Sequence, residues 1–186
     1  VGFSPELRAQ EPKLASKKAV VTANPFGDEG EQVVLLLALT PDVALMHAQY
    51  VGDDGTVRIK GLAFLDLEQA RAASRVIVTC EEVVPSSFLR QDPDQNSLPP
   101  FLADAAVHAP FGARPTACFN FYDYDPRHLN MYRQEAGDEP ALQAYLGRWV
   151  RDCPDQEAYL AQVGAADLTR IRANSQVGYA PGLDRR

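Results

Sequence analysis

The apolar residues of this 186-residue chain gather into short runs in its first two thirds and spread to helix-like spacings in its last third. Residues 19–23 (AVVTA) read as a strand that Asn24-Pro25 stops. An unbroken apolar run covers 33–39, Pro41-Asp42 interrupt it, and 43–48 take it up again. Runs of this length between turn residues suggest strands buried on both faces, although a short run does not exclude helix. Asp53-Asp54-Gly55 predicts a hairpin turn into a strand at 56–59. A helix starts at Asp66, with Asp66 as cap, Gln69 as its capping-box partner, and Leu67, Ala70 and Ala73 on one apolar face. It ends at Ser74-Arg75, and the β-branched stretch 76–79 (VIVT) follows as a central strand.

Strand, helix, strand is the order of an α/β protein with a mainly parallel sheet and covering helices. Pro85, Pro93, Pro99 and Pro100 then mark a long connection to a strand at 105–107. A loop rich in Gly, Pro and aromatics runs from 110 to 125, and helices at 126–135, 141–151, 156–163 and 165–173 form a helical C-terminal tail. The expected organisation is a lead-in at 1–18, an α/β core at 19–125 and a helical extension at 126–186.

Charge narrows the partners. With 25 Asp and Glu against 18 Lys and Arg, the net charge of -7 repels a phosphate backbone, so nucleic acid is not an expected partner. Cys80, Cys118 and Cys153 show no metal-type spacing and are odd in number, so neither a metal site nor a disulfide framework is expected. The apolar runs are too short for a membrane helix and no signal-peptide pattern opens the chain, which makes the cytoplasm the expected location.

Candidate chemistry concentrates in two places. Cys80-Glu81-Glu82 follow the predicted strand 76–79, at the carboxyl edge where α/β sheets bind ligands. Against that stands the ordinary use of such carboxylates as caps or solvated charges. Cys80 reads as a small buried hydrophobe rather than a nucleophile. The loop carrying His108, Gly112 and Arg114 has a backbone fixed by Pro110 and Pro115, and offers an imidazole and a cation. His47, inside an apolar run, reads as structural, and His128, on a helix, as exposed. Phe119, Phe121, Tyr122, Tyr124 and Tyr132 lack the basic neighbours of a base-stacking platform, so they are expected to pack the tail or an interface. Asp125-Pro126 is a helix start. No Gly-x-Ser-x-Gly elbow, Walker loop or dinucleotide fingerprint occurs.

Four blocks in order carry a family resemblance. They are PDVALMHAQ at 41–49 with the Asp54-Gly55 turn; FLD at 64–66 through VIVTCEEVV at 76–84; LPPFLADAAV at 98–107 running into PFGARP at 110–115; and FYDYDP at 121–126. Together they resemble the A (alpha) subunit of family I CoA-transferases of the glutaconate type, in its carboxyl-terminal part. Pro100 stands where that family usually has Gly, and Arg114 where it often has His. The glycine-rich segment of the amino-terminal half is missing, as is a Ser-Glu-Asn-Gly-type nucleophile motif.

The resemblance implies a CoA-transferase (NagB-like) fold and covalent catalysis, with the attack on an acyl-CoA thioester made by a Glu of a partner B subunit. It implies coenzyme A as a substrate, no separate cofactor, a carboxylic acid as the second substrate, and a hetero-oligomer. On this chain it implies no catalytic nucleophile. Glu81, Glu82, His108, Gly112, Arg114 and Tyr122 are the candidates for substrate binding or for ordering the site. The alternatives are a subunit of a CoA-thioester hydrolase of the ring-opening, steroid-degradation type, and a non-catalytic assembly subunit.

Overall fold

The structure is a computed structural model, and it describes residues 19–38 and 40–184. The expected lead-in therefore lies outside the described residues. Two compact units divide at Thr40-Pro41. In the first, β1 (Ala19–Ala23) and β2 (Gln32–Leu36) pair antiparallel from Ala19 opposite Leu36 to Ala23 opposite Gln32. Asn24 closes the turn, its amide donating to the Glu31 carbonyl. The sequence leads one to expect β2 buried on both faces, but Leu35 and Leu36 are exposed.

In the second unit a four-stranded sheet has the order β4-β3-β5-β6. β3 (Val43–Gly52) and β5 (Arg75–Val84) lie parallel at the centre, β6 (Ala105–His108) runs parallel to β5, and β4 (Val57–Arg58) pairs antiparallel with the end of β3. The β3-β4 turn is the predicted hairpin, with Gly55 at φ 89° where a side chain would be strained. Alternation sends Ala44, Met46 and Ala48 of β3, and Val76, Val78 and Cys80 of β5, into one core. Helix α1 (Asp66–Ala72) covers that face through Ala70, with Leu67 and Ala73 packed against the core.

Two local expectations change. Leu65, not Asp66, caps α1, and Asp66 stands inside the first turn, where its carboxylate meets the positive end of the helix without making the capping bond. β5 runs on to Val84, so Glu81 and Glu82 lie within the strand rather than after it.

The long connection after β5 folds through α2 (Ser86–Leu89) and two 3₁₀ turns. Buried Arg58 binds it down: its guanidinium donates to Asn96 Oδ1 and to the carbonyls of Leu89 (2.8 Å) and Asp92 (2.9 Å). The tail comprises α3 (Pro126–Glu135), α4 (Glu139–Leu146) continuing through a π turn at Gly147–Arg151, α5 (Gln156–Val163) and α6 (Ala165–Ile171). Asp125, Asp138 and Asp155 each cap a helix by accepting from the backbone amide three residues on. A second apolar core joins this tail to the loop before it, through Phe111, Cys118, Tyr122, Ile171, Ala180 and Leu183. No helix among the described residues is long and apolar enough to cross a membrane.

Arg58→Met removes the charge-assisted bonds to Asn96, Leu89 and Asp92, so it is expected to lower stability by about 3 kcal/mol. Chemical denaturation of the variant checks this, and an unchanged midpoint would mean the connection is held by packing alone.

Candidate functional site

On the face of the sheet opposite α1, the parallel register sets His47 beside Thr79, with Gln49 and Glu81 two residues further along each strand. Glu81 is the hub. Its Oε1 accepts from the Tyr122 hydroxyl at 2.8 Å and lies 2.7 Å from His47 Nε2, while Oε2 accepts from the Phe111 amide at 2.9 Å. His47 Nδ1 meets the Thr79 hydroxyl at 2.8 Å, and that hydroxyl donates to the Met46 carbonyl. The Tyr122 oxygen also accepts from the Ala113 amide at 2.9 Å. A carboxylate only 5% exposed thus has donors on both oxygens, as burial of a charge requires.

The loop is shaped to reach it. Phe111 takes a left-handed backbone (φ 59°) that brings its amide to Glu81, and its ring stacks on Tyr122 with centroids 4.7 Å apart. Gly112 is required by proximity: a Cβ there would lie 2.7 Å from the Ala109 carbonyl oxygen and 3.0 Å from the His47 ring. Cys118 and Tyr122 exchange backbone bonds in a tight turn. The tail locks that turn: the Asp123 amide donates to the Ile171 carbonyl and the Ala173 amide to the Phe121 carbonyl.

A cavity of about 550 Å³ opens beside this network. His47, Gln49, Lys60, Cys118, Tyr122 and Tyr179 are among its lining residues. Gln49 pins the far wall by donating to the Lys60 and Phe119 carbonyls and accepting from the Lys60 amide. The Lys60 ammonium lies 5.3 Å above the Tyr50 ring centroid. Burial and the nearby Glu81 charge push the Cys118 thiol up to about 12, and the same two causes raise the Tyr122 phenol far above its ordinary value. Both groups are therefore protonated at neutral pH.

Of the six candidates from the sequence, Glu81, Gly112 and Tyr122 meet here. His108 touches the network only through Nε2, 3.1 Å from the Glu81 carbonyl oxygen, and Glu82 is exposed. Arg114 turns the other way. Buried at 8% exposure, it pairs with Asp125 at 2.7 Å, donates to the Tyr159 hydroxyl and lies against His128 Nδ1. His128, expected on the surface, is buried because its Nε2 reaches the Tyr145 hydroxyl at 2.7 Å and its ring lies edge-on to Trp149. Sequence reasoning missed His47, Gln49 and Cys118. Two polar residues two apart in an apolar strand were the signal for His47 and Gln49, since they must share one face.

The Arg114 cluster has a definite acid response. Burial raises the Asp125 carboxyl, but bonds from the His128 amide and Arg114 outweigh it and the net shift is downward. Burial and the neighbouring Arg114 charge also lower the His128 imidazole. Both folded values lie below the unfolded ones, so both contributions are present at neutral pH and lost as pH falls, His128 first and Asp125 later. Stability should therefore decline from about pH 6.5 downward, and His128→Gln should remove the upper part of the decline. Urea midpoints against pH test it; identical profiles for native and variant would place the titration elsewhere. For the cavity, native protein should react with a bulky thiol reagent at Cys153 alone, and unfolded protein at all three cysteines, because Cys80 and Cys118 are buried. Rapid labelling of Cys118 at pH 8, mapped by mass spectrometry, would contradict the packing described.

Comparison with known proteins places these features. The coenzyme A transferase family profile matches residues 10–109. The A-type subunit of glutaconate CoA-transferase from Acidaminococcus fermentans is 39% identical over 178 residues, covering 96% of this chain and 55% of that protein. The A-type subunit of 3-oxoadipate CoA-transferase from Pseudomonas knackmussii is 30% identical over 134 residues, covering 72% of this chain and 47% of that protein. Among solved structures, the glutaconate coenzyme A-transferase of Acidaminococcus fermentans matches with a TM-score of 0.85 at 38% identity, over 96% of this chain and 56% of that one. The AibA/AibB decarboxylase, solved as a cysteine-to-serine variant, matches with a TM-score of 0.58 at 34% identity, over 76% of this chain and 49% of that one. The chain spans about half the length of the curated relatives it matches.

Proposed function

The chain belongs to the coenzyme A transferase family, and from that premise we propose that it serves as an A-type subunit moving CoA between an acyl-CoA and a carboxylic acid. The nucleophile is a glutamate of a partner B-type subunit, which attacks the thioester and carries CoA as a glutamyl thioester to the acceptor acid. This chain supplies a wall of the pocket.

The observation that carries the division of labour is the saturation of Glu81. A nucleophilic carboxylate needs a lone pair aimed at an open space, yet both Glu81 oxygens are engaged, by Tyr122, His47 and Phe111. Glu81 instead fixes the imidazole, the phenol and the loop backbone in one geometry, which makes it a positioning residue. His47 and Tyr122 then form part of the cavity wall. Across from them Lys60 offers a cation, suited to the carboxylate of the acid substrate in a protein whose overall charge is -7.

Acetate-dependent CoA exchange on an acyl-CoA should require both this chain and a B-type subunit, and neither alone should turn over. Borohydride treatment of the assembled enzyme with acyl-CoA reduces the glutamyl thioester to an alcohol, and peptide mapping should find it on the partner. Glu81→Gln should lower kcat at least tenfold while leaving that labelled position unchanged. The reduced residue appearing at Glu81 would overturn the assignment.

A further inference from the structure

We propose that His47, Glu81 and Cys118 form a binding site for a zinc-like divalent cation, at the inner wall of the cavity. A ring nitrogen of His47, a carboxylate oxygen of Glu81 and Sγ of Cys118 all lie within 4.8 Å of one another. Nitrogen, carboxylate oxygen and thiolate sulfur together suit zinc or cobalt and not magnesium or calcium, which take oxygen ligands. The three come from β3, β5 and the loop turn at 118–122, 71 residues apart at the extremes, so no sequence spacing announces them.

Their outer atoms are already held as ligands usually are. Thr79 takes His47 Nδ1, leaving Nε2 as the inward atom, and because the Thr79 hydroxyl donates to Met46 it can accept an Nδ1 proton. In that tautomer, reached when any proton between Nε2 and Glu81 leaves, the Nε2 lone pair is bare for a metal. The Phe111 amide holds Glu81 Oε2, so Oε1 is the inward oxygen, with the Tyr122 hydroxyl as an outer donor to it. Gly112 packs against the imidazole and limits its rotation. Tetrahedral ligands at zinc distances stand roughly 3.3–3.6 Å from one another. Nε2 and Oε1, now 2.7 Å apart, must part by somewhat under about 1 Å to reach that spacing, and Sγ closes on them. Binding releases the thiol proton of Cys118 to water, since the thiolate is the ligand. His47 and Cys118 both line the cavity, so a fourth position opens to water or a ligand there.

The proposal stands apart from the transferase reading, because it is tested on this chain without a partner. The purified protein is titrated with Co²⁺, followed by visible absorption, and with Zn²⁺ by calorimetry and competition. One equivalent of Co²⁺ should give intense four-coordinate bands and a thiolate charge-transfer band. Cys118→Ser, nearly isosteric, should abolish the charge-transfer band and weaken Zn²⁺ binding at least tenfold, and His47→Gln should weaken it similarly. Cys153→Ser should change neither. Zn²⁺ should also raise the melting temperature of the native protein and not of Cys118→Ser, whose circular dichroism reports that it remains folded. Absence of stoichiometric binding to native protein, or binding that survives Cys118→Ser, would overturn the site, as would binding lost with Cys153→Ser.

Discussion

A buried carboxylate on a sheet face is the constraint from which the rest of this structure follows. Glu81 sits where the parallel strands would otherwise present apolar side chains, and an ionised carboxylate there costs several kcal/mol unless donors meet it. The fold meets it from three directions: from the neighbouring strand with His47, from the loop backbone with the Phe111 amide, and from the loop side chain Tyr122. Each donor needs its own support. Phe111 needs a left-handed backbone, Gly112 needs to lack a Cβ, and Tyr122 needs its turn clamped by Ile171, at the end of α6, and by Ala173 beyond it. A single charge thereby dictates the conformation of a loop that has little regular structure.

A second polar hub explains why that loop stays in place. Arg114 lies three residues beyond Phe111 and turns its guanidinium to Asp125, His128 and Tyr159. The loop is thus tied at one end to the sheet and at the other to the tail, with the Phe111–Tyr122 stack between the ties. Because the Arg114–Asp125 pair is almost wholly buried, it is not screened as a surface pair would be, and losing either member strands the other charge. The helical tail is therefore part of the site's support, although its helices supply no member of the Glu81 network.

The parts of the fold that were legible in sequence are those set by local pattern. The hairpin at Asp54-Gly55, the helix at α1 and the β-branched strand β5 follow from turn chemistry and periodicity, and Asp125-Pro126 from capping. What stayed hidden was set by tertiary partners. His128 looks like an exposed helical residue until Arg114 and Tyr145 arrive from 14 residues before it and 17 after. β5 reads as ending at Thr79 because acidic residues normally leave a strand, yet Glu81 stays in it since its charge is satisfied across 30 and 41 residues of chain. Arg114 carries the signal of a binding cation and spends it on structure. Such errors share one cause: a polar residue in isolation does not declare whether its partner is water, protein or ligand.

The comparison with relatives sharpens the role of the framework. A CoA-transferase and a decarboxylase share this fold at 38% and 34% identity to the chain, so the fold alone does not select the reaction. What selects it must lie in groups that face the cavity with unspent valence. In the arrangement seen here both Glu81 oxygens hold His47, Tyr122 and the Phe111 amide, and Tyr122 donates inward to it. Lys60 lines the cavity on a wall whose backbone Gln49 fixes through bonds to both the amide and the carbonyl of that residue. A bonded network around Glu81 thus holds one side of the cavity, and Gln49 holds the side that carries Lys60. A change of substrate in this family would then be expected to alter the β4 end of the cavity while the β5 carboxylate and its donors stay as they are.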